Sequence, residues 1–190
     1  MEKYLNFIKE AEGLKSTLRT AWTATGRQES TAEHSWRLAL LAAVLCKEFP
    51  ELNREKVMLM CLVHDLGELY GGDISAALNP DAARKHEQEQ QDVKRAVSFL
   101  PPSCAQEILD LCEEYNRGET LEAGFVKAMD KAETIIQHSQ GANPEEFDYE
   151  FNLSYGKAYF EQDNRLSYLR ELIDRETKVR LDESSRDQRE

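Results

Sequence analysis

The sequence predicts an all-α fold in which helices pack around one buried central helix. Apolar residues recur at helical spacing along nearly all of the 190 residues, and no stretch shows the clear alternation of a β-strand. No Asn-Gly pair marks a hairpin, whereas residues that begin or end helices stand between the periodic stretches. These observations favour a helical bundle.

Each predicted helix is an amphipathic or apolar stretch bounded by punctuating residues. The predicted helices cover residues 2–14, 31–48, 54–70, 80–100, 103–115, 120–139, 145–162 and 164–181. Residues 15–30 carry Thr, Gly and Arg without a helical pattern, so we expect an ordered loop there.

Capping residues set most of these boundaries. Ser30 and Glu33 have the S-x-x-E spacing of a capping box, so a helix is predicted to begin directly after Ser30. Asn53 and Asn79 can cap the helices that follow them, and Pro80 suits a first helical turn. Glycine or proline follows several predicted helix ends, at Pro50, Gly71, Gly72, Pro101, Pro102, Gly118 and Gly141.

The chain length fits one domain, since domains commonly hold about 100–200 residues. We expect residues 1–181 to form this domain. Residues 182–190 are polar throughout and are predicted to be a disordered tail. The helices after Asn143 carry apolar stripes such as Leu166, Leu169 and Ile173, which could either support a homodimer or close the core of the monomer.

Charge and hydropathy restrict the partners. Lys and Arg total 24 against 36 Asp and Glu, a net charge of −12, so a nucleic acid polymer is not expected as a ligand. A small phosphorylated substrate remains compatible, because a few local cations can hold it. The longest apolar run, residues 57–63, is far shorter than the ~20 residues that span a bilayer, so no membrane partner is expected.

Four cysteines without a CxxC pair and no signal-peptide pattern predict a cytoplasmic protein.

The predicted 54–70 helix contains an internal conflict. Its middle is apolar on every side, which is typical of a helix enclosed by others, yet His64, Asp65 and Glu68 follow directly. Ionisable groups in an enclosed helix are costly unless they are paired or bind a metal. His34 also points to the core from the first turn of its helix. One such histidine is more often a core residue, but two with an adjacent aspartate suit a divalent transition metal.

The motifs resemble those of the HD-domain metal-dependent phosphohydrolases. His34, then His64-Asp65 and finally Asp130 match the H…HD…D signature of that family. Residues 29–35 and 64–73 are similar to the ES-x-x-EHS and HD-x-x-E-x-x-x-GD segments of its 5′-deoxynucleotidase branch. From the residues alone, Asp130 could not be preferred over Glu133.

The resemblance implies a helical HD-domain bundle with one divalent metal ion held by His34, His64, Asp65 and Asp130. It also implies that Glu68 takes a proton from water or orients it, and that Asp73 contacts the nucleophile or the sugar. Arg19 is the implied phosphate clamp, although Thr20 stands where bacterial members carry Trp. The implied aromatic contact to sugar or base is therefore Trp22. Imidazole and carboxylate ligands accept Mn, Co, Fe, Ni, Zn or Mg.

The resemblance implies hydrolysis of nucleoside 5′-monophosphates, chiefly deoxy forms, to nucleoside and phosphate. Two alternatives stay open at this stage. The same metal site could act on another small phosphoester, such as a nucleotide polyphosphate or a cyclic nucleotide. The chain could also be a non-catalytic, metal-bound nucleotide sensor, although a sensor has no need of the carboxylates at Glu68 and Asp73.

Overall fold

The computed structural model describes residues 1–75 and 81–187, and these form a helical bundle with a small β-hairpin. In chain order the elements are α1 (Glu2–Ala11), β1 (Leu18–Trp22), β2 (Gln28–Ser30), α2 (Thr31–Leu45), α3 (Arg54–Val63), α4 (Glu68–Gly71), α5 (Ala82–Val97), α6 (Pro102–Arg117), α7 (Leu121–Gln140), α8 (Glu150–Ser154) and α9 (Asn164–Asp187). Short 3₁₀ turns follow three of the helices, at Glu12–Lys15, Cys46–Glu48 and Lys157–Tyr159. The predicted helical fold class is confirmed.

The helix at the centre of the bundle is α7 rather than the helix predicted over residues 54–70. Helices α2, α3, α6 and α9 all pack against α7, and most of its residues are buried. On α3, by contrast, Leu59 is 37% exposed and Leu62 is 49% exposed. This helix therefore buries one face, formed by Val57, Met60 and Cys61, and not its whole circumference.

The third predicted helix is interrupted where its polar residues begin. Helix α3 ends at Val63 and α4 begins at Glu68, and the residues between them form hydrogen-bonded turns. Gly67 lies at this break, where an added Cβ would come within 2.7 Å of the Glu89 Cβ on α5. Because glycine has no side chain, α5 can approach the break closely. The prediction of one continuous helix is wrong, and His64, Asp65 and Gly67 at the break line a cavity.

The predicted loop over residues 15–30 contains a β-hairpin. Strands β1 and β2 pair antiparallel, with Leu18 opposite Ser30 and Trp22 opposite Gln28. Gly26 has a φ of +81° in the connecting turn, a conformation that glycine adopts without strain. Strand β1 packs against α7, and this contact brings the side chains of β1 towards the centre of the bundle.

Three other boundaries differ from the predictions. Helix α5 is capped by Asp81, whose carboxylate accepts hydrogen bonds from the backbone of Ala83 and Arg84. The predicted cap at 79–80 lies outside the described residues. The 145–162 helix is wrong, because α8 and a 3₁₀ turn occupy only part of that stretch. Helix α9 continues past Leu181 to Asp187, and the predicted disorder of residues 182–190 stays a prediction.

The apolar stripe on α9 closes the core of the monomer. Leu166 and Ile173 are 5% and 4% exposed within the main core cluster, and Leu169 packs against it. The structure thus resolves the two readings of this stripe in favour of the monomer core. Among the described residues, no helix has the length and apolar character needed to cross a membrane.

Candidate metal centre

His34 is oriented by the start of α2. The Ser30 hydroxyl accepts a hydrogen bond from the backbone N–H of Glu33 at 3.3 Å, and the Glu33 carboxylate accepts one from the backbone N–H of Ser30 at 2.9 Å. This is the predicted capping box, and it fixes the first turn of the helix. His34 follows in that turn and is completely buried, so its predicted orientation towards the core is confirmed.

His64 and Asp65 lie at the break after α3. The Nδ1 atom of His64 is 3.0 Å from the Cys61 carbonyl oxygen, which makes Nδ1 the donor and leaves Nε2 as the free lone pair. The Oδ2 atom of Asp65 lies 3.1 Å from His64 Nε2 and 3.8 Å from His34 Nε2. The two imidazole centroids are 5.6 Å apart, so both rings and the carboxylate face one point.

Asp130 reaches the same point from α7. Its Oδ1 atom is 3.3 Å from His34 Nε2, and its Oδ2 atom accepts hydrogen bonds from the Tyr115 hydroxyl at 2.6 Å and the Lys131 ammonium at 2.8 Å. Burial would raise the pKa of Asp130, but the Lys131 ammonium outweighs it and holds the pKa well below its usual range. The side chain is therefore an ionised carboxylate.

This arrangement fits a divalent metal ion. Ligand atoms of His34, His64 and Asp130 all lie within 4.8 Å of one another. Furthermore, His34 Nε2, His64 Nε2 and Asp65 Oδ2 are buried without a hydrogen-bond partner among the described residues. Unpartnered buried polar atoms are costly, and three of them converging here is what a coordinated cation would explain. Neutral imidazole and carboxylate are suitable donors for such an ion.

Glu68 and Asp73 line the cavity next to this cluster, which has a volume of about 250 Å³. Glu68 is the first residue of α4 and is 5% exposed, and its Oε2 atom accepts a hydrogen bond from the Thr31 hydroxyl at 3.0 Å. Burial raises the pKa of Glu68 to about 9, with a further contribution from the carboxylates of Asp65 and Asp73. Both predicted catalytic carboxylates thus share the cavity with the cluster.

Arg19 comes to the cavity from β1. Its guanidinium lies 3.8 Å from Asp65 and 3.4 Å from Glu29, and it donates a hydrogen bond to the Thr134 hydroxyl at 3.1 Å. The cavity is also lined by Lys85, Lys127 and Lys131. Four basic side chains thus line the cavity together with five carboxylates, so an anionic ligand would need a metal ion bound to the carboxylates as well as these cations.

Trp22 does not line this first cavity. It lines a second one of about 270 Å³, where its ring meets Phe147 edge-on at a centroid distance of 6.0 Å. The two cavities adjoin, because both are lined by Thr20, Ser75, His138 and Phe151. Trp22 therefore lines the neighbouring cavity and not the cavity beside the cluster.

Glu133 has a role that sequence reasoning did not assign. It is 1% exposed, and one of its oxygens binds Nδ1 of His34 while the other accepts a hydrogen bond from Arg37 Nε at 2.6 Å. The available signal was the spacing of Asp130 and Glu133, which lie three residues apart and so on one helix face. Helical periodicity did not distinguish Asp130 from Glu133, whereas the structure places Asp130 beside Nε2 of His34 and Glu133 beside Nδ1.

The chain is similar in sequence to several known proteins. The chain matches the HD domain family over residues 11–169. It is 35% identical to 5′-deoxynucleotidase HDDC2 of Homo sapiens over 138 residues, which are 72% of this chain and 67% of that protein. It is 37% identical to 5′-deoxynucleotidase hdd1 of Schizosaccharomyces pombe over 137 residues, 69% of this chain and 68% of that one.

A solved structure shares the architecture. A protein of Magnetospirillum magnetotacticum described as a predicted metal-dependent phosphohydrolase is 27% identical, with a TM-score of 0.76 and coverage of 93% of this chain and 94% of that chain. The match to the family extends over most of the sequence and includes all the residues of the cluster. This chain belongs to the HD domain family.

Proposed function

We propose that this chain is a divalent-metal-dependent phosphomonoesterase that hydrolyses deoxynucleoside 5′-monophosphates to nucleoside and phosphate. The observation that carries the proposal is the convergence of the unpartnered His34, His64 and Asp65 atoms beside a cavity lined by both carboxylates and basic side chains. The substrate class is supported by the relatives named 5′-deoxynucleotidase.

The proposed metal ligands are His34, His64, Asp65 and Asp130. When bound there, a divalent cation would supply positive charge that acidifies water and offsets the charge on phosphoryl oxygens. Mn, Co, Fe, Ni, Zn and Mg are all compatible with a set of two imidazoles and two carboxylates. Tyr115 and Lys131 hold the Asp130 carboxylate by hydrogen bonds, which supports a fixed ligand geometry.

Arg19 is the proposed clamp for the substrate phosphate. Its planar guanidinium can donate two parallel hydrogen bonds to phosphate oxygens, and Thr134 and Glu29 hold it at the cavity wall. Lys127 and Lys131 add positive charge to the same wall. A dianionic phosphate is thereby compensated locally within an acidic protein.

Glu68 is the proposed acceptor of the proton that leaves the attacking water. Burial and the neighbouring carboxylates raise the pKa of Glu68, and a cation bound beside it would lower this pKa towards neutrality, where the ionised carboxylate can accept the proton. Asp73 lines the cavity beyond the Gly71-Gly72 turn, where it can orient the nucleophile or the sugar. We therefore assign proton transfer to Glu68 and positioning of the substrate or water to Asp73.

Trp22 and its aromatic neighbours are the proposed contact for the sugar and base. The second cavity is lined by Trp22, Phe147 and Phe151, and it adjoins the first. Aromatic faces bind the rings of nucleosides by stacking and by excluding water. A substrate with its phosphate beside Arg19 can extend its nucleoside into this second cavity.

The test is turnover by protein supplied in turn with each divalent ion. Purified protein is incubated with dAMP, dGMP, dCMP and dTMP, and both phosphate and nucleoside are measured. Equal amounts of the two products are expected. Absence of phosphate release from every deoxynucleoside monophosphate, with metal shown to be bound, would contradict the proposal. Parallel incubations with dATP and a cyclic nucleotide test the alternatives: release of pyrophosphate or triphosphate from dATP, or opening of the cyclic nucleotide, without phosphate release from the monophosphates would instead identify another phosphoester.

We further propose a reducing, cytoplasmic location and a homodimer whose interface lies outside the α9 stripe, since that stripe is buried in the core of the monomer. All four cysteines are free, which supports the location because disulfides form in oxidising compartments. The dimer is tested by light scattering after size-exclusion chromatography: a mass twice that of the chain is expected, and a monomer mass across the micromolar range would contradict it.

A further inference from the structure

A buried hydroxyl holds the carboxylate of Glu68. The Thr31 hydroxyl donates a hydrogen bond to Glu68 Oε2 at 3.0 Å, and Thr31 is completely buried while Glu68 is 5% exposed. The bond joins the first residue of α2 to the first residue of α4. It therefore connects two helix starts that are distant in sequence, and Glu68 lines the cavity.

The position of Thr31 is itself well determined. The capping box of Ser30 and Glu33 fixes the first turn of α2, and the backbone N–H of Thr31 donates a hydrogen bond to the Thr17 carbonyl at 2.9 Å. A β-branched side chain also has few rotamers in a helix. The hydroxyl is thus a rigid donor, whereas the Glu68 side chain would otherwise be free to choose among rotamers on a short helix.

We propose that Thr31 is a positioning residue for the reaction: its hydroxyl holds one oxygen of the Glu68 carboxylate and so keeps the group directed at the attacking water. The inference rests on the proposed role of Glu68 and names the residue that orients it. Thr31 forms no bond to substrate and transfers no proton. Its effect is exerted through the hydrogen bond alone.

The charged groups around Glu68 have opposing effects on its protonation, so the hydrogen bond from Thr31 influences which form is present. The charged side chains that line the same cavity include Asp65, Asp73, Arg19, Lys85 and Glu89. The two aspartates favour a protonated Glu68, whereas Arg19 and the Thr31 hydroxyl favour the ionised form. A donated hydrogen bond stabilises a carboxylate, so removing it should leave a larger fraction of Glu68 protonated at neutral pH.

The experiment compares Thr31→Val, which keeps the shape and removes the donor, with Thr31→Ser, which keeps the donor. Metal-loaded proteins are assayed with dAMP. For Thr31→Val we expect kcat to fall about tenfold, KM to stay within about twofold, and the acid limb of the kcat profile to move to higher pH. Thr31→Ser should retain kcat to within about threefold. Thr31→Ala replaces the valine variant should that fail to fold.

Thr177→Val is the matched control. Thr177 is also completely buried, and its hydroxyl is 3.3 Å from that of Ser139, in a part of α9 that does not line the cavity. It should leave kcat and the pH profile unchanged. A similar loss in Thr177→Val would show that any buried threonine hydroxyl matters, which would overturn the assignment.

A second readout does not depend on turnover. The ¹³C resonance of the Glu68 carboxyl, assigned by its absence in Glu68→Gln, is titrated in Zn²⁺-loaded protein and in Thr31→Val. A higher titration midpoint in Thr31→Val supports the positioning role of Thr31. An unchanged midpoint together with an unchanged kcat would overturn that role. A Thr31→Ser variant as slow as Thr31→Val would also overturn it. Wild-type protein without turnover would refute the proposed function, while this titration still decides the hydrogen bond.

Discussion

His34 and Glu133 form a buried hydrogen bond through the Nδ1 atom of the imidazole. The bond makes Nδ1 the protonated nitrogen and directs the lone pair of Nε2 towards Asp65 and Asp130. Arg37 holds Glu133 from the other side at 2.6 Å. A carboxylate behind a metal-binding histidine raises the basicity of the ring and fixes its orientation.

Glu133→Gln should therefore weaken metal binding by about 10- to 100-fold, because the amide orients the ring less firmly and does not raise its basicity. The affinity is measured by calorimetry with Mn²⁺ or Zn²⁺. Glu113→Gln is the control, since Glu113 pairs with Arg117 on the exposed side of α6. Equal affinity in wild type and Glu133→Gln would show that the bond has no influence on the metal.

His64→Ala and Asp65→Ala should abolish metal retention, because each removes a ligand from a set of four. The measurement is elemental analysis after gel filtration, where we expect wild-type protein to retain the ion. His86→Ala provides the histidine control, since His86 binds Gln90 on α5. Full metal content in both ligand variants would rule out the proposed centre.

Glu68→Gln should retain metal and substrate and lose most of the rate. Removal of a general base typically lowers kcat by about 100-fold or more. Because the amide has nearly the shape of the carboxylate, substrate binding by the inactive variant can be measured directly by calorimetry with dAMP. A fully active variant would show that another group accepts the proton.

Trp22→Ala should raise KM for deoxynucleotides about 5- to 10-fold through the loss of an aromatic contact, while metal content stays unchanged. Trp36→Ala is the matched control, since Trp36 is 62% exposed on α2. Initial rates over a range of dAMP concentrations separate KM from kcat. Unchanged KM in Trp22→Ala would exclude this residue from the substrate site.

Stability should depend on pH through Glu33. Arg27 and the Ser30 hydrogen bonds lower the pKa of Glu33 from 4.5 to about 2 in the folded protein. Since the folded pKa is the lower one, the stabilisation is complete above about pH 4.5 and is lost as the pH falls towards 2. Thermal unfolding should show Glu33→Gln less stable than wild type at pH 7 by roughly 0.2–1 kcal/mol, because glutamine keeps the capping-box bond and loses only the exposed ion pair with Arg27, with the gap closing towards pH 2. A constant gap would contradict this.

The sequence predicted much of the cluster because its residues are local to well-marked elements. The capping box determined the turn that carries His34, and the burial conflict drew attention to His64 and Asp65. Asp130 rested on the family resemblance alone. Its orientation depends on Tyr115 and Lys131, which are tertiary contacts that no helical period encodes.

The errors have equally specific causes. The helix break after Val63 escaped detection because His64 keeps helical dihedral angles, with φ −59° and ψ −34°, and the following turns differ mainly in hydrogen-bond span. The hairpin escaped because β1 is only five residues long, and Ala21 is its one buried residue. α7 was not recognised as the central helix because three polar residues of its buried face, Asp130, Glu133 and His138, look solvent-facing in sequence.

Ser30 belongs to two elements at once, since it is the last residue of β2 and the N-cap of α2. No spacer separates the hairpin from the helix, so one inserted residue at this junction would rotate His34 by about 100° around the helix axis. We therefore expect insertions to be tolerated in the turn around Gly26 and forbidden between Ser30 and Thr31. The length of this junction therefore fixes the position of Arg19 on β1 relative to His34 on α2.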